Sequence, residues 1–283
     1  MTARRPYRID EILLHLTDRD LRVLGALEQF RLLDTRLIQR LEFPINVDKD
    51  AGEHTTAASA TRTTTRVLGR LEGHDLVARV GRRVGGRGHG SSQTVWQLAS
   101  SGERLLRARR GETGRRRYIQ PGTSFLEHTL DVARYAAALR EKARENGFEI
   151  LRLQTEPTSW RPFQAAHGGA LTLKPDLTLI TADAESETHG FVEIDRDTEH
   201  LPAVLRKSAL YQQYWQAGIE QAMHDLFPAV IWVTPDDARA DKIRRAITDD
   251  RKLNAALFHA TTAEQSLAAV APYTTPNPKG GSS

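Results

Sequence analysis

The sequence predicts a mixed α/β (α+β) protein of two domains: a helical domain that ends in a basic hairpin, and a larger domain built on a sheet. Three observations predict this arrangement. Apolar residues recur at helical spacing in the first part of the chain, and they alternate with polar residues between residues 171 and 195, as strands require. The charge also changes sign, because residues 1–120 carry an excess of about nine basic residues and the remainder an excess of about five acidic ones.

The composition describes a globular chain and excludes several kinds of site. With 283 residues, the chain is long enough for two domains that each bury a core. The absence of cysteine excludes disulfides, a thiolate nucleophile and cysteine-ligated metals. No apolar run reaches transmembrane length, and the N-terminus lacks the apolar region of a signal peptide. We therefore expect a cytoplasmic protein with no membrane partner.

Three helices are predicted in the first domain. Thr17, with Asp20 three residues later, forms a capping box that opens the first helix. Asp34 is placed to cap a second, shorter helix. A third helix, from about Ala60 to Leu71, buries Val67 and leaves a face of threonine and arginine exposed.

Two strands around a glycine-rich, arginine-rich turn follow the third helix. Three helices and a basic hairpin are typical of a winged helix-turn-helix, which we assign to residues 1–105. In that fold the third helix enters the major groove of double-stranded DNA and the hairpin follows the backbone. A solvated helix face or a protein-binding role is the alternative. The residues that we expect to contact DNA are Arg62, Thr63, Thr65, Arg66, Arg70, Arg79, Arg82, Arg83 and Arg87.

The second half of the chain has its own order. We predict a basic linker over residues 106–122 and an α/β domain over 123–271. That domain begins with a long helix that ends near Gly147. Strands are predicted over 148–156, from Ala229 and near 253–262, with a helix between the last two. Residues 272–283 are rich in Pro, Gly and Ser and are expected to be a disordered tail.

The stretch from Leu171 to Trp215 carries most of the chemistry. Residues 171–180 are predicted to be one strand with its leucines on one face, joined by a polar turn to a second strand over 191–195. An antiparallel hairpin would bring Asp176, Glu193 and Asp195 into one patch. Clustered carboxylates repel, and Mg²⁺ or Mn²⁺ would neutralise them. The helix that follows presents Lys207 towards this patch, on the same face as apolar residues.

These motifs resemble those of the PD-(D/E)xK nuclease superfamily. Pro175-Asp176 corresponds to the PD, and Glu193-Ile194-Asp195 stands where (D/E)xK is expected, with Asp195 in the place of the lysine. Lys207 would supply the missing charge, and Lys207-x-x-x-Tyr211 is similar to the helical Q-x-x-x-Y feature of some members. The resemblance implies a restriction-endonuclease-like domain with two sets of site residues. The catalytic residues would be Asp176, Glu193, Asp195, Lys207 and Tyr211, and the metal ligands would be Asp176, Glu193 and Asp195 with Glu127 from the long helix.

The order of these motifs behind a winged helix resembles the replication-relaxation family of actinobacterial plasmids and integrative elements. This resemblance implies a DNA-binding protein with a metal-dependent nuclease-like domain, acting in replication, relaxation or transfer of element DNA. Other replication or transfer proteins of the element would be its partners. The alternative is a non-catalytic regulator whose degenerate nuclease-like domain serves as a homodimer interface or docks a partner. A transcriptional regulator with a ligand-sensing domain is a third, less favoured class.

Overall fold

The computed structural model describes residues 9–45, 54–80, 94–112, 123–166, 168–198 and 200–271. The chain is of the mixed α/β class and divides into two compact units, residues 1–137 and 138–283. Among the described residues, no helix combines the length and apolar composition needed to cross a membrane.

The first unit is mainly helical, with a small antiparallel sheet. Its strands are ordered β1-β3-β2. The elements are α1 (Ile9–Leu13), α2 (Asp18–Phe30), β1 (Leu33–Asp34), α3 (Thr35–Glu42), α4 (Ala57–Gly73), β2 (Val77–Arg79), β3 (Val95–Leu98), α5 (Ser100–Arg109) and the first part of α6 (Thr123–Asn146).

Helix starts in this unit follow the predicted caps. Thr17 and Asp20 form a reciprocal capping box at α2. The Asp34 carboxylate accepts a hydrogen bond from the Leu37 N–H at 2.7 Å and begins α3. The third helix, α4, begins earlier than predicted because Thr56 caps it. Val67 is buried in α4, as its spacing predicted.

The predicted basic linker is wrong at its start, because residues 106–109 belong to α5. Leu105 and Leu106 of this helix are buried. Gly102 is packed so closely that a Cβ there would lie 2.1 Å from the Leu76 carbonyl oxygen. The many arginines suggested a solvent-exposed linker. Because two leucines of this segment are buried, it forms a helix instead. The rest of the predicted linker, residues 113–122, and the predicted tail, 272–283, lie outside the described residues.

The second unit is built on a five-stranded mixed sheet in the order β10-β9-β8-β7-β4. β4, β7 and β8 are antiparallel neighbours, whereas β8, β9 and β10 are parallel. After α6, the elements are β4 (Glu149–Thr155), β5 (Arg161–Gln164), β6 (Ala170–Leu173), β7 (Leu177–Ala182), β8 (Glu187–Ile194), α7 (Leu201–Gln216), α8 (Ile219–His224), β9 (Ala229–Thr234), α9 (Asp237–Asp249), a 3₁₀ turn (Ala255–Leu257), β10 (Phe258–Thr262) and α10 (Ala263–Val270).

The predicted single strand over residues 171–180 is wrong. It is two strands in two sheets: β6 pairs with β5 in a separate hairpin, and β7 pairs with β4 and β8. The break lies at residues 174–176, where Pro175 has no N–H to donate to a strand neighbour. Every residue of β7 is buried, so this strand has no solvent-exposed face. Asp176 lies just before β7, at one end of this interior strand.

One aromatic core holds α7 against the sheet. The Phe191 ring of β8 lies 5.6 Å from the Tyr211 ring and 6.2 Å from the Tyr214 ring of α7. Trp232 of β9 and Phe258 of β10 belong to the same buried cluster. This packing fixes the rotation of α7, and with it the direction in which the remaining side chains of that helix point.

Candidate active site

The β7–β8 hairpin sets Asp176 opposite Glu193. Leu177 pairs with Val192, so the residue before Leu177 faces the residue after Val192 across the two strands. The Asp176 Oδ2 atom accepts a hydrogen bond from the Ile194 N–H at 2.8 Å. The antiparallel hairpin was predicted correctly, and it brings these two carboxylates to one end of the sheet.

Helix α7 delivers a cation to this pair of carboxylates. The Lys207 ammonium donates to Glu193 Oε2 and lies 3.9 Å from Asp176 Oδ1. Val204 and Tyr211, one turn to either side on the same helix, are fully buried against the sheet. The i, i+3, i+4 spacing that predicted Lys207 on the inner face of the helix is thus confirmed. Lys207 therefore contacts both carboxylates.

Tyr211 completes the contacts of Glu193. Its hydroxyl donates to Glu193 Oε1 at 2.6 Å. Burial raises the pKa of Tyr211 well above its ordinary value, and the neighbouring Glu193 charge raises it further. The phenol therefore stays protonated and acts as a donor. Glu193 is held from two sides, by an ammonium on one oxygen and a phenol on the other.

The Glu193 carboxyl is buried deeply enough to change its acidity. It is 1% exposed, and burial raises its pKa to about 8. Lys207 and the Tyr211 hydrogen bond lower the pKa, whereas the Asp176 charge raises it. Near neutral pH the Glu193 carboxyl therefore takes up a proton more readily than an ordinary glutamate, and any added cation close to Glu193 will favour proton release.

Asp195 does not join this pair, and the predicted patch of three carboxylates is wrong in this respect. Its carboxylate accepts from the Arg239 guanidinium at 2.6 Å and 3.2 Å, and both side chains are buried. Asp195 lies just past the end of β8, where its N–H donates to the Val233 carbonyl at 2.9 Å. From that position its side chain reaches the first turn of α9.

The donor set for a metal is smaller than the sequence suggested. Within the described ranges, no group of three or more His, Cys, Asp or Glu side chains is arranged to hold a metal ion. Asp176 and Glu193 form a pair of hard oxygen donors. Glu127 lies on α6 among the residues of the first unit, and its assignment as a ligand stays a prediction.

Two supporting residues were not anticipated from the sequence. The Ser159 hydroxyl, fully buried, donates to the Pro175 carbonyl at 2.6 Å and so fixes the peptide that leads into Asp176. Arg239 neutralises Asp195 from 44 positions along the chain. No local pattern marks either residue, because both act through contacts that exist only after the sheet has formed.

The predicted DNA-contacting residues of the first unit fall into three groups. Arg62, Thr65 and Arg66 are exposed on α4, and Thr63 is half-buried. Arg70 and Arg79 already have acidic partners within the unit. Arg82, Arg83 and Arg87 lie outside the described residues.

Arg70 and Arg79 make contacts within the unit. The Arg70 guanidinium donates to Asp20, which is fully buried at the start of α2. Arg79 lies 2.8 Å from Glu72 and 5.0 Å from the centroid of the Trp96 ring. Both arginines are about half exposed, so these contacts orient them without withdrawing them from the surface.

Comparison with known proteins gives one finding. The model of the replication-relaxation family matches residues 24–230, which extend from α2 to the beginning of β9 and include Asp176, Glu193 and Lys207. No curated protein matches the chain, and no solved structure does. Since the match covers more than half of the sequence and both units, the chain belongs to the replication-relaxation family.

Proposed function

We propose that this protein binds the DNA of a plasmid or integrative mobile element and cuts it in a divalent-cation-dependent reaction during replication, relaxation or transfer. Family membership supports a role in replication or relaxation of such an element. The binding of duplex DNA is assigned to the first unit and the cutting to Asp176, Glu193 and Lys207 of the second.

The observation that carries the nuclease assignment is the convergence of three motif residues from separate elements. Asp176 precedes β7, Glu193 lies in β8, and Lys207 comes from α7, yet one ammonium contacts both carboxylates. The two carboxylates are not part of a solvent-exposed strand face, because Asp176 is 8% exposed and Glu193 is 1% exposed. Burying two carboxylates and a lysine costs desolvation free energy, which favours a functional role for the cluster over a structural one.

The donor chemistry of this pair suits Mg²⁺ or Mn²⁺. Mg²⁺ is usually held by one or two carboxylates and completes its shell with waters and substrate phosphate, so Asp176 and Glu193 fit it without a third acid. Such a cation supplies charge neutralisation at the phosphate and lowers the pKa of a bound water. Lys207 would then donate to a phosphate oxygen, and Tyr211 would keep Glu193 in place through its hydroxyl.

The DNA-binding assignment depends on the exposed face of α4. That helix carries Arg62 and Arg66 on a surface backed by buried Val67 and Leu71, and an antiparallel pair of strands follows it. A winged helix-turn-helix places such a helix in the major groove and such a hairpin on the backbone. The excess of basic residues in the first 120 positions suits a polyanion.

The test is cleavage of supercoiled, linear and single-stranded DNA with Mg²⁺, Mn²⁺ or EDTA. We expect nicking or cutting that needs the cation and that disappears in Asp176→Ala and in Glu193→Ala. Glu185→Ala, in the exposed turn before β8, is the matched control and should keep full activity. Activity that survives both site variants would place the cutting elsewhere and contradict the assignment.

A second candidate function is a non-catalytic DNA-binding protein whose second unit docks a partner or a second copy. Two observations favour it. Both oxygens of Glu193 already accept hydrogen bonds from within the chain, and Asp195 is bound to Arg239. No cleavage of any DNA, including DNA from the protein's own element, together with no divalent-cation binding, would establish this candidate in place of the nuclease.

A further inference from the structure

Trp160 is an exposed aromatic residue that follows Ser159, whose hydroxyl contacts the segment leading into Asp176. Its side chain is among the large hydrophobic groups left in solvent, with 36% of its surface exposed. The preceding residue, Ser159, donates to the carbonyl of Pro175, which is bonded to Asp176. This hydrogen bond ties the backbone next to Trp160 to the short segment that carries the first carboxylate of the site.

The turn that carries Trp160 is held in one shape. The Arg161 guanidinium donates to the carbonyl oxygens of the three preceding residues, at 3.0 to 3.3 Å. The indole N–H donates to Glu156 Oε1 at 3.2 Å. A ring fixed in this way loses little conformational freedom when a planar group stacks on it, which favours binding.

A cation accompanies the ring. The Lys174 ammonium lies 4.3 Å from the centroid of the Trp160 ring, and Lys174 is an exposed residue two positions before Asp176. The ammonium covers one face of the indole, so a nucleotide that stacks on this face would displace it and offer it a phosphate instead. A nucleotide presents the complementary pair of groups, a flat base and a phosphate.

We infer that Trp160 and Lys174 form a subsite for one unpaired nucleotide of single-stranded DNA, with its base on the indole and its phosphate on the ammonium. This inference rests on the nuclease function proposed above and names the class of substrate. Within a duplex both faces of a base are covered by its neighbours, so only an unpaired base can stack on a protein ring. The preferred substrate would carry unpaired nucleotides next to the phosphate that is cut.

The test measures binding separately from cleavage. A fluorescently labelled oligothymidylate of about six nucleotides is titrated with the full chain in EDTA, followed by anisotropy. Base stacking on an aromatic ring is worth roughly 1 to 3 kcal/mol, so Trp160→Ala should weaken binding by about 5-fold to 150-fold. Trp160→Phe keeps a stacking face and should retain most of the affinity. Lys174→Ala should reduce the log–log salt slope by about 0.7, the value for one phosphate contact on a single strand.

The controls separate this inference from the nuclease proposal. Met223→Ala removes an exposed apolar side chain of the same unit and should leave oligothymidylate binding unchanged. Asp176→Ala should abolish cleavage and keep the Trp160-dependent binding. If the wild-type protein cuts no DNA, the nuclease proposal fails, whereas the subsite is judged by the binding series alone. Equal affinity of wild type and Trp160→Ala, or an equal loss for the oligonucleotide and for a duplex of the same length, overturns the subsite.

Discussion

Replacing Glu193 with glutamine should remove a pH-dependent loss of stability. Glu193 has a pKa of about 8 in the folded chain, compared with an ordinary value of 4.5. Between these two values the folded protein holds a proton that the unfolded chain has released. The contribution of Glu193 to stability is therefore complete below pH 4.5 and is lost as the pH rises through 8.

The size of this effect follows from the gap between the two pKa values. Each pKa unit corresponds to about 1.36 kcal/mol, and roughly three units of the gap lie between pH 5 and pH 8, which gives about 4 kcal/mol. The comparison of two pH values cancels any constant cost of the amide in Glu193→Gln. The wild-type protein should thus lose about 4 kcal/mol more than the variant between about pH 5 and about pH 9.

The assay is urea unfolding of both proteins across this pH range in EDTA, followed by tryptophan fluorescence. Glu185→Gln, at an exposed position in the turn before β8, is the matched control and should follow the wild-type curve. Parallel stability curves for wild type and Glu193→Gln would contradict this expectation. They would mean that Lys207 and Tyr211 offset the burial of Glu193 completely.

Three further predictions concern other parts of the chain. Arg239→Met leaves the Asp195 carboxylate buried without a counter-charge. We expect the free energy of unfolding, measured by denaturant titration, to fall by about 3 to 5 kcal/mol. Arg62→Glu with Arg66→Glu should weaken duplex DNA binding and reduce the log–log salt slope by about 0.9 for each lost phosphate contact, whereas Arg104→Glu on α5 should change neither. Gly102→Ala would place a Cβ 2.1 Å from a carbonyl oxygen, so we expect a lower melting temperature and unchanged DNA cleavage; a variant as stable as wild type would show that this close approach is not required.

Local signals in the sequence were sufficient for much of the fold. Thr17 and Asp34 cap their helices through residues three positions away, so the start of α2 and α3 could be predicted from neighbours alone. Lys207 could be placed because Val204 and Tyr211 mark the buried face of the same helix. In each case the interaction that decides the structure lies within one or two helical turns.

Contacts between distant segments account for what the sequence did not predict. The alternation over residues 171–180 suggested one strand, but Pro175 interrupts the backbone donors, and the two halves pair with different strands. Asp195 fits the motif by position, yet Arg239 of α9 takes its carboxylate once β8 and β9 are parallel neighbours. Charge density favoured a linker from residue 106, where α5 continues and buries Leu106. Pro175 marks the strand break locally, whereas the pairing partners of β6 and β7 and the contact between Asp195 and Arg239 have no signal in the adjacent residues.

We propose that Asp176 and Glu193 together hold a divalent cation, and calorimetric titration with Mn²⁺ near pH 7 measures that binding. Because the pKa of Glu193 is about 8, cation binding must displace its proton, and buffers of different ionisation enthalpy will report that release. We predict about one proton released for each Mn²⁺ bound by the wild-type protein, no proton release in Glu193→Gln, and no binding in Asp176→Ala. Absence of Mn²⁺ binding by the wild type, or binding that is unchanged in Asp176→Ala, would contradict the claim.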